Sequence, residues 1–367
     1  MRLFQSRPTL RWLAPVALVG LVAGTGLVVA NTANAGSNLP PRTARQLLES
    51  VQQAKVEALS GTVVQRSDLG LPEIPGTGGS DGSNLSSLVS GNHTMKVWFA
   101  GPDRARLQLL GRLGESDVIR NGADLWTWSS KDNTATHRTM SAQEKKSASR
   151  QLPAQAASTP SQAAAQVLAA VGPTTAISTA SNSTVAGRKA YELILAPKDR
   201  SSLIQSVHVA IDGTTSIPLR VEVFAGNRAV FDVGFSSVDF ARPDSPQFAF
   251  NPPLGVRVTR VPAEKPAAHR PTAKPGTPAA KAQRRPTGTQ PTIVGTGWTA
   301  VVISKLPAGQ TTGQLGSVLR SLPKAPPGSW GSGRVFAGTA FSAVITDDGR
   351  VAIGAVRPEK LYSALTR

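Results

Sequence analysis

Apolar and polar residues alternate with a period of two over most of the chain after residue 60. In residues 104–111, for example, Leu107 and Leu109 share one side of a strand, and polar residues occupy the other side. Short turns such as Asn121-Gly122 separate these alternating segments. Strands that follow one another through tight turns pair in antiparallel fashion, and one apolar face per strand indicates a sheet wetted on one side.

Two segments show helical spacing of apolar residues instead. The first begins at the cap Thr43 and extends up to Gly61, and the second runs from Thr159 to Gly172. A sheet of about ten twisted strands tends to curl, and these two amphipathic helices can cover its apolar side. We therefore predict a mainly β (α+β) fold: a curved, unclosed antiparallel β-barrel with helices in its concavity, plus a small αβ C-terminal domain.

Composition and pattern divide the chain into four parts. Residues 1–35 are predicted to form a signal peptide or membrane anchor, and residues 40–256 the half-barrel domain. Residues 257–291 are a basic, Pro/Ala-rich linker, which predicts a semi-extended tether. Residues 292–367 alternate between strand and helix patterns, so we expect a small αβ domain there.

The N-terminal part has the features of an export signal. Three arginines come before or at the start of an uncharged, mostly apolar run over residues 12–30, and residues 33–35 offer a small-x-small cleavage site. The run is long for a signal core and just long enough to span a bilayer as a transmembrane helix, so cleavage and retention both stay open. In both cases we expect the body of the protein outside the cytoplasmic membrane, either secreted or anchored.

The formal net charge of the chain is +18, and it is concentrated outside the first domain. Residues 257–288 hold eight basic residues and one acidic residue, whereas residues 36–256 are nearly balanced. A nucleic-acid-binding domain would carry this charge on its folded surface, so we predict no nucleic-acid partner. An exported basic linker can instead meet anionic lipid headgroups at the membrane surface or wall polymers, or can simply remain extended and soluble.

Nothing in the sequence points to catalysis. The lack of cysteine excludes disulfides, thiol catalysis, cysteine-ligated metals and lipidation of a signal-site cysteine. The four histidines are isolated from one another and from paired carboxylates, which argues against zinc. The stretch GTGWTA at residues 295–300 matches part of a dinucleotide-binding fingerprint, but a strand pattern follows it where a helix is required. We therefore predict that the protein is not an enzyme and has no cofactor and no metal.

Large apolar side chains on the strands are the candidates for a ligand-binding surface. Trp126 and Trp128 lie two apart on one strand and share a face, which we expect to be the covered, concave one. An open sheet closed only by helices has an interior that a ligand can enter when a helix or loop moves; the alternative is that these rings are ordinary core. The predicted apolar cradle comprises Trp98, Leu107, Leu109, Trp126, Trp128, Tyr191 and Leu193.

The order of these features resembles the LolA/LolB-like lipoprotein carrier superfamily, which includes RseB-type sigma-factor regulatory proteins. The resemblance rests on the export signal, on the helix and strand within residues 43–65, and above all on the strand–turn–strand DVIRNGADLWTW at residues 117–128. It implies a curved, unclosed barrel of about eleven strands that is plugged by helices and binds acyl chains of lipids or lipoproteins, as a carrier or sensor.

The same resemblance implies an alternative function. An RseB-like regulatory module would bind a membrane-bound anti-sigma factor or a component of the cell envelope. The long basic linker and the Gly-rich loop at residues 68–93 depart from the family pattern.

Overall fold

The computed structural model describes residues 39–70, 88, 91–141, 144, 160–161, 164, 172–261, 291–305 and 321–366. The predicted signal or anchor, most of the second predicted helix, most of the Gly-rich loop and nearly all of the linker lie outside the described residues. Within the described part of the chain, none of the helices has the length and apolar character that crossing a membrane requires.

Twelve strands form one large open sheet in the described part of the first domain. Their order across the sheet is β12-β6-β5-β4-β3-β2-β1-β11-β10-β9-β8-β7, so β12 and β7 are free edges and the barrel does not close. All neighbours pair antiparallel except β12 and β6, which pair parallel. This confirms the predicted mainly β, unclosed fold. The strands are β1 (Leu59–Ser67), β2 (Gly91–Phe99), β3 (Arg104–Leu110), β4 (Glu115–Asn121), β5 (Asp124–Ser129), β6 (Thr134–Thr139), β7 (Thr175–Val185), β8 (Arg188–Pro197), β9 (Ser206–Asp212), β10 (Pro218–Ala225), β11 (Arg228–Asp239) and β12 (Arg257–Val261).

Helix α1 (Ala44–Gln53) precedes β1 and starts where the sequence predicts. Thr43 caps it through a capping box, in which the Gln46 backbone N–H donates to the Thr43 hydroxyl and the Gln46 side chain accepts from the Thr43 backbone. The helix ends eight residues before Gly61, so the predicted C-terminal boundary was wrong. The reason is that β1 begins at Leu59, where it pairs with Phe99, and residues 54–58 turn the chain from helix into strand.

The connection from β11 to β12 lies over the face of the sheet that carries Trp126 and Trp128. It runs from residue 240 to residue 256 and contains a short 3-10 turn, Ser245–Phe248. Residues 257–261, which the sequence pattern assigns to the linker, instead form β12 and pair with β6. The large sheet therefore includes residues up to Val261.

A second, five-stranded antiparallel sheet follows, with the order β13-β14-β17-β16-β15. A hairpin turn at Asp347-Asp348-Gly349 joins β16 to β17, and Gly349 adopts φ +82°, which favours glycine. A helix begins at Pro358, whose fixed φ suits the first helical position. The elements are β13 (Thr292–Val294), β14 (Val301–Lys305), β15 (Gly333–Ala337), β16 (Ser342–Thr346), β17 (Arg350–Gly354) and α2 (Pro358–Leu365).

The second sheet packs against one end of the first. Trp298 Nε1 donates to Thr175 Oγ1 over 2.9 Å, and the backbone N–H of Leu203 donates to the carbonyl of Ala355 over 2.8 Å. Trp298 and Ala355 belong to the same hydrophobic cluster as the large sheet. The start of β7 and the β8–β9 loop share one end of an antiparallel sheet, so the second domain seals that end of the concave side.

Candidate functional site

The inner, concave face of the large sheet is a continuous apolar surface. Register places Val63 beside Met95 and Met95 beside Leu109 on one half of the sheet. On the other half, Leu193 lies beside Val209. Directly paired residues point to the same side of a sheet, so these side chains form one layer. The fully buried members of this layer include Val63, Met95, Leu109, Leu193, Leu195, Val209, Ile211 and Val233.

Helix α1 covers part of this face. Ala44 and Leu47 are buried within the same cluster, and Leu48 and Val51 pack against it. The segment before the helix is tied to the sheet by side-chain hydrogen bonds to two backbone carbonyls. The Tyr191 hydroxyl donates to the carbonyl of Pro40 over 2.7 Å. Thr179 Oγ1 donates to the carbonyl of Arg42 over 3.3 Å.

A buried polar side chain holds a second covering segment on the inner face. Gln65 is 2% exposed, and its Nε2 donates to the carbonyl of Leu88 over 2.5 Å. Leu88 is itself buried in the apolar cluster. Within the described residues, helix α1 and Leu88 cover parts of the inner face, and the second domain contacts one end of it.

The three tryptophans of the predicted cradle lie on the opposite, outer face. Trp98 pairs with Arg106, Arg106 with Ile119, and Ile119 with Trp126. Trp128 follows Trp126 by two residues and so shares this face.

The expectation that the whole cradle forms one surface was therefore wrong, because register separates its members. Leu107, Leu109, Tyr191 and Leu193 lie on the inner face, whereas Trp98, Trp126 and Trp128 lie on the outer face. The two-residue turn is Gly122-Ala123, so Asn121 pairs with Asp124 and Trp126 lies opposite Ile119. The Asn-Gly signal at residues 121–122 would predict a register shifted by two residues on one strand, so the sequence signal does not give the observed pairing.

The outer tryptophans are nonetheless covered by protein. Residues 244–253, which we call the strap, lie over them. Phe250 packs against Trp126 and Trp128 at ring-centroid distances of 5.2 and 5.9 Å. His137 stacks on Trp126 at 4.3 Å. We call the surface made by Trp98, Trp126 and Trp128 the outer aromatic patch.

A buried ion pair lies within the outer aromatic patch. Arg106 Nη2 is 2.5 Å from Asp117 Oδ2, and the guanidinium lies 5.4 Å from the ring centre of Trp98. Asp117 is fully buried, and this burial raises the pKa of its carboxyl, although Arg106 opposes the shift. Three buried polar atoms here lack a hydrogen-bond partner: Arg106 Nε, Asp117 Oδ1 and Trp128 Nε1.

Charged residues brace the outer face of the other half of the sheet. Asp232 lies between Arg66 and Arg220, and Arg220 also contacts Glu222 at 2.7 Å. Burial raises the pKa of Glu222, with Arg220 acting in the opposite direction. The two pairs made by Asp232 join β11 to its neighbours β1 and β10, which indicates a structural role. Among the residues that the structure describes, no group of three or more acidic or histidine side chains is placed to hold a metal ion.

Two shallow surface depressions lie beside helix α1 and the residues that follow it. One is lined by residues between Pro40 and Gln53, and the other by residues 55–58 with Phe240 and Arg242. Neither is lined by any residue of the predicted cradle. These two depressions therefore lie outside the predicted cradle.

Comparison with known proteins finds similar folds among solved structures. No family model matches the chain, and no curated protein matches it. The chain is similar to MucB at 16% identity, covering 88% of this chain and 96% of MucB, with a TM-score of 0.39. It is similar to the MucA/MucB complex of Pseudomonas aeruginosa at 15% identity, covering 88% and 95%, with a TM-score of 0.41. It is also similar to the LolA superfamily protein NE2245 of Nitrosomonas europaea at 12% identity, covering 57% and 99%, with a TM-score of 0.22.

Proposed function

We propose that this chain is a non-enzymatic, extracytoplasmic binding protein that takes the acyl chain of a lipid or lipoprotein on the inner face of its large sheet. The observation that supports this proposal is the nature of the cover. Part of the apolar sheet face is covered by a ten-residue amphipathic helix and by Leu88 of a loop, and these are smaller and more easily moved than the second domain that contacts one end of the face. Leu107, Leu109, Tyr191 and Leu193 would line the acyl chain.

The free energy lost when helix α1 leaves the sheet is comparable to the free energy gained when an acyl chain is buried there. Moving helix α1 re-exposes Leu47 and the half-buried Leu48 and Val51, at about 1.5–3 kcal/mol or less for each side chain. A buried methylene contributes about 0.8 kcal/mol, so a chain of about fourteen methylenes contributes about 11 kcal/mol. A long acyl chain therefore offsets the cost of displacing the helix, whereas a short one does not.

Residues 54–58 provide a hinge for this movement. They connect helix α1 to β1 without forming regular structure. At the other end, the hydrogen bonds from Tyr191 and Thr179 are the contacts that must break. The helix keeps its own backbone hydrogen bonds when it swings, so the movement costs mainly apolar contact.

A disulfide that ties the segment before helix α1 to β7 tests the proposal. Because the chain has no cysteine, Arg42→Cys with Thr179→Cys introduces the only thiol pair. We expect the oxidised variant to lose binding of fluorescently labelled palmitate at least tenfold, and to regain it on reduction. The readout is the fluorescence of the labelled ligand and not tryptophan emission, because Trp126 and Trp128 lie on the outer face of the sheet.

The matched control is Thr184→Cys with Lys189→Cys, which joins directly paired residues of the β7–β8 hairpin and leaves helix α1 free. Equal palmitate binding by the oxidised lock, the oxidised control and the unmodified protein would contradict an inner-face site.

The second domain favours a second candidate function, which the sequence resemblance also implies. In an RseB-like regulatory module, the protein would bind a membrane-bound anti-sigma factor or a cell-envelope component. The packing of Trp298 and Ala355 into the cluster of the large sheet couples the second domain to the inner face. An acyl chain entering there would disturb this contact and so change the surface that the two domains present.

In-cell cross-linking to the extracytoplasmic segment of the organism's own anti-sigma factors distinguishes the two functions. A regulatory module loses its cross-link when Trp298→Ala loosens the second domain, and changes it when palmitate is added. A carrier shows neither response and still binds palmitate.

A further inference from the structure

The outer aromatic patch is occupied by the chain's own strap, and we propose that it is a docking site for an extended peptide of a partner protein. The partner segment would carry two aromatic residues at positions i and i+2 close to proline, as the strap does in the sequence PQFAFNPP at residues 246–253. The site is separate from the inner face and does not depend on acyl binding.

The strap begins with a 3-10 turn, and residues 248–250 at the end of this turn bind through alternate side chains. Phe248 is 1% exposed, Phe250 is half-buried over the tryptophans, and the residue between them is exposed. One backbone contact joins the strap to the ion pair, in which Arg106 Nη1 donates to the carbonyl of Gln247 over 3.3 Å. Two anchoring rings and an adjacent backbone contact are a common form of peptide recognition. The exposed strap residues are Asp244, Ser245, Pro246, Gln247, Ala249, Asn251 and Pro253.

The strap is attached to the sheet less firmly than a strand. Its backbone N–H groups at Gln247 and Ala249 donate to carbonyls within the strap itself, those of Asp244 and Pro246. Prolines at 246, 252 and 253 have no N–H and cannot enter a hydrogen-bonded ladder. Release of the strap therefore breaks ring packing and the Arg106–Gln247 contact, and leaves the ladder of the sheet intact.

The strap also leaves three buried polar atoms of the site without hydrogen-bond partners. Asp117 Oδ1, Trp128 Nε1 and Arg106 Nε are buried without a hydrogen-bond partner, and their residues are neighbours, because Asp117 pairs with Trp128 across the sheet and forms an ion pair with Arg106. A buried polar atom without a partner destabilises the folded protein relative to a satisfied one. These atoms are one acceptor and two donors, which matches the N–H and C=O groups of a peptide backbone. A partner segment that supplies those groups would displace the strap, because it keeps the ring contacts and adds hydrogen bonds.

The chemistry of the site favours a peptide over other occupants. The rings pack against phenylalanine at tilted angles of 52° and 46°, which is the arrangement of an aromatic side-chain pocket. The charge at the site is internally balanced by Arg106 and Asp117. An anionic headgroup would meet Asp117 and gain no net attraction.

The test uses the full chain and a synthetic peptide of residues 243–254 as the probe. We expect the variant Phe248→Ala/Phe250→Ala, whose own strap no longer anchors, to bind the peptide and change tryptophan emission on binding. The unmodified chain should bind it at least tenfold more weakly, because its own strap competes at high effective concentration. A peptide in which both phenylalanines are alanine should not bind.

Peptide that fails to bind the folded double variant would overturn the proposal. Concentration-dependent dimers of the unmodified chain, abolished by Phe250→Ala, would also overturn it and assign the patch to exchange of straps between two copies. If the double variant does not fold, hydrogen exchange of the unmodified protein decides. Amides of residues 247–251 that exchange faster than those of β3 and β4 support an exchangeable strap, whereas exchange only by global unfolding overturns it.

Discussion

The two faces of strands β3 and β4 differ in what covers them and in how completely their polar atoms are satisfied. On the inner face, Leu109 is fully buried in an apolar layer under a capped helix. On the outer face, the buried Asp117 and its partner Arg106 lie under a proline-containing strap, and three polar atoms have no partner. The same two strands therefore carry a core on one side and a polar, aromatic site on the other.

The two covers therefore differ in the free energy that is needed to remove them from the sheet. The inner cover gives up mainly apolar contact, together with the hydrogen bonds of Tyr191, Thr179 and Gln65 to backbone carbonyls, so most of its cost scales with the area that is exposed. The outer cover also protects a buried charge, and water that reaches Asp117 when the strap leaves relieves part of its desolvation. We therefore expect the inner face to respond to apolar ligands and the outer face to respond to polar contacts and to pH.

The largest effect is expected from Leu109→Ala on the inner face. Removing a fully buried leucine side chain should lower the free energy of unfolding by about 3–5 kcal/mol, measured by urea denaturation. The matched control is Leu110→Ala, because the adjacent Leu110 is half-buried and points to the outer face. Equal losses from the two substitutions would mean that the faces do not differ in packing.

A smaller, pH-dependent effect is expected from Arg106→Ala on the outer face. The substitution leaves a buried carboxylate unpaired, which should cost about 3 kcal/mol at neutral pH. Burial already raises the pKa of Asp117 in the folded state, so its ionisation disfavours folding. The stability associated with the protonated form is present at low pH and is lost as pH rises through the folded pKa.

The cost of Arg106→Ala should therefore be smaller at acidic pH than at neutral pH. Urea denaturation at both pH values measures it, and Asp117→Asn in the same background is the control that should remove the pH dependence. A cost that is independent of pH with Asp117 present would contradict a buried, titrating carboxyl.

The smallest effect is expected from Thr43→Ala, which removes the capping box of helix α1. We expect a loss of about 1 kcal/mol in unfolding free energy and tighter binding of labelled palmitate, since a weaker helix opens more readily. The first residue of the strap provides a control for the loss of a cap. Asp244 makes no side-chain capping hydrogen bond to the strap's 3-10 turn, so Asp244→Ala should be nearly neutral. An equal loss from both would show that capping does not distinguish the two covers.

Much of the secondary structure was predictable, because it depends on local pattern. Alternation identified the strands, and Thr43 identified the start of helix α1. The end of helix α1 was placed too late, because its helical spacing continues into residues that β1 and Phe99 recruit into the sheet. A helix pattern cannot show where a strand pairing that involves distant residues will override it.

The candidate site was only partly predictable. Leu107, Leu109, Tyr191 and Leu193 were placed on the inner face by alternation, and the structure brings them there. Alternation also showed that Trp126 and Trp128 share a side, but it could not by itself choose that side. The register set by short turns decides it, and the strap that covers these rings arrives from residues more than 100 positions away.

By itself, the sequence determined the alternating strands, the capped helix and the absence of thiol chemistry, since each depends on residue type or on neighbours in the chain. Only the tertiary structure decided that β1 lies beside β11, that β12 joins β6 in parallel, and that Asp117 is buried. The physical reason is that these features depend on contacts between residues far apart in sequence. Their free energy comes from shared burial, which no single segment of the sequence encodes.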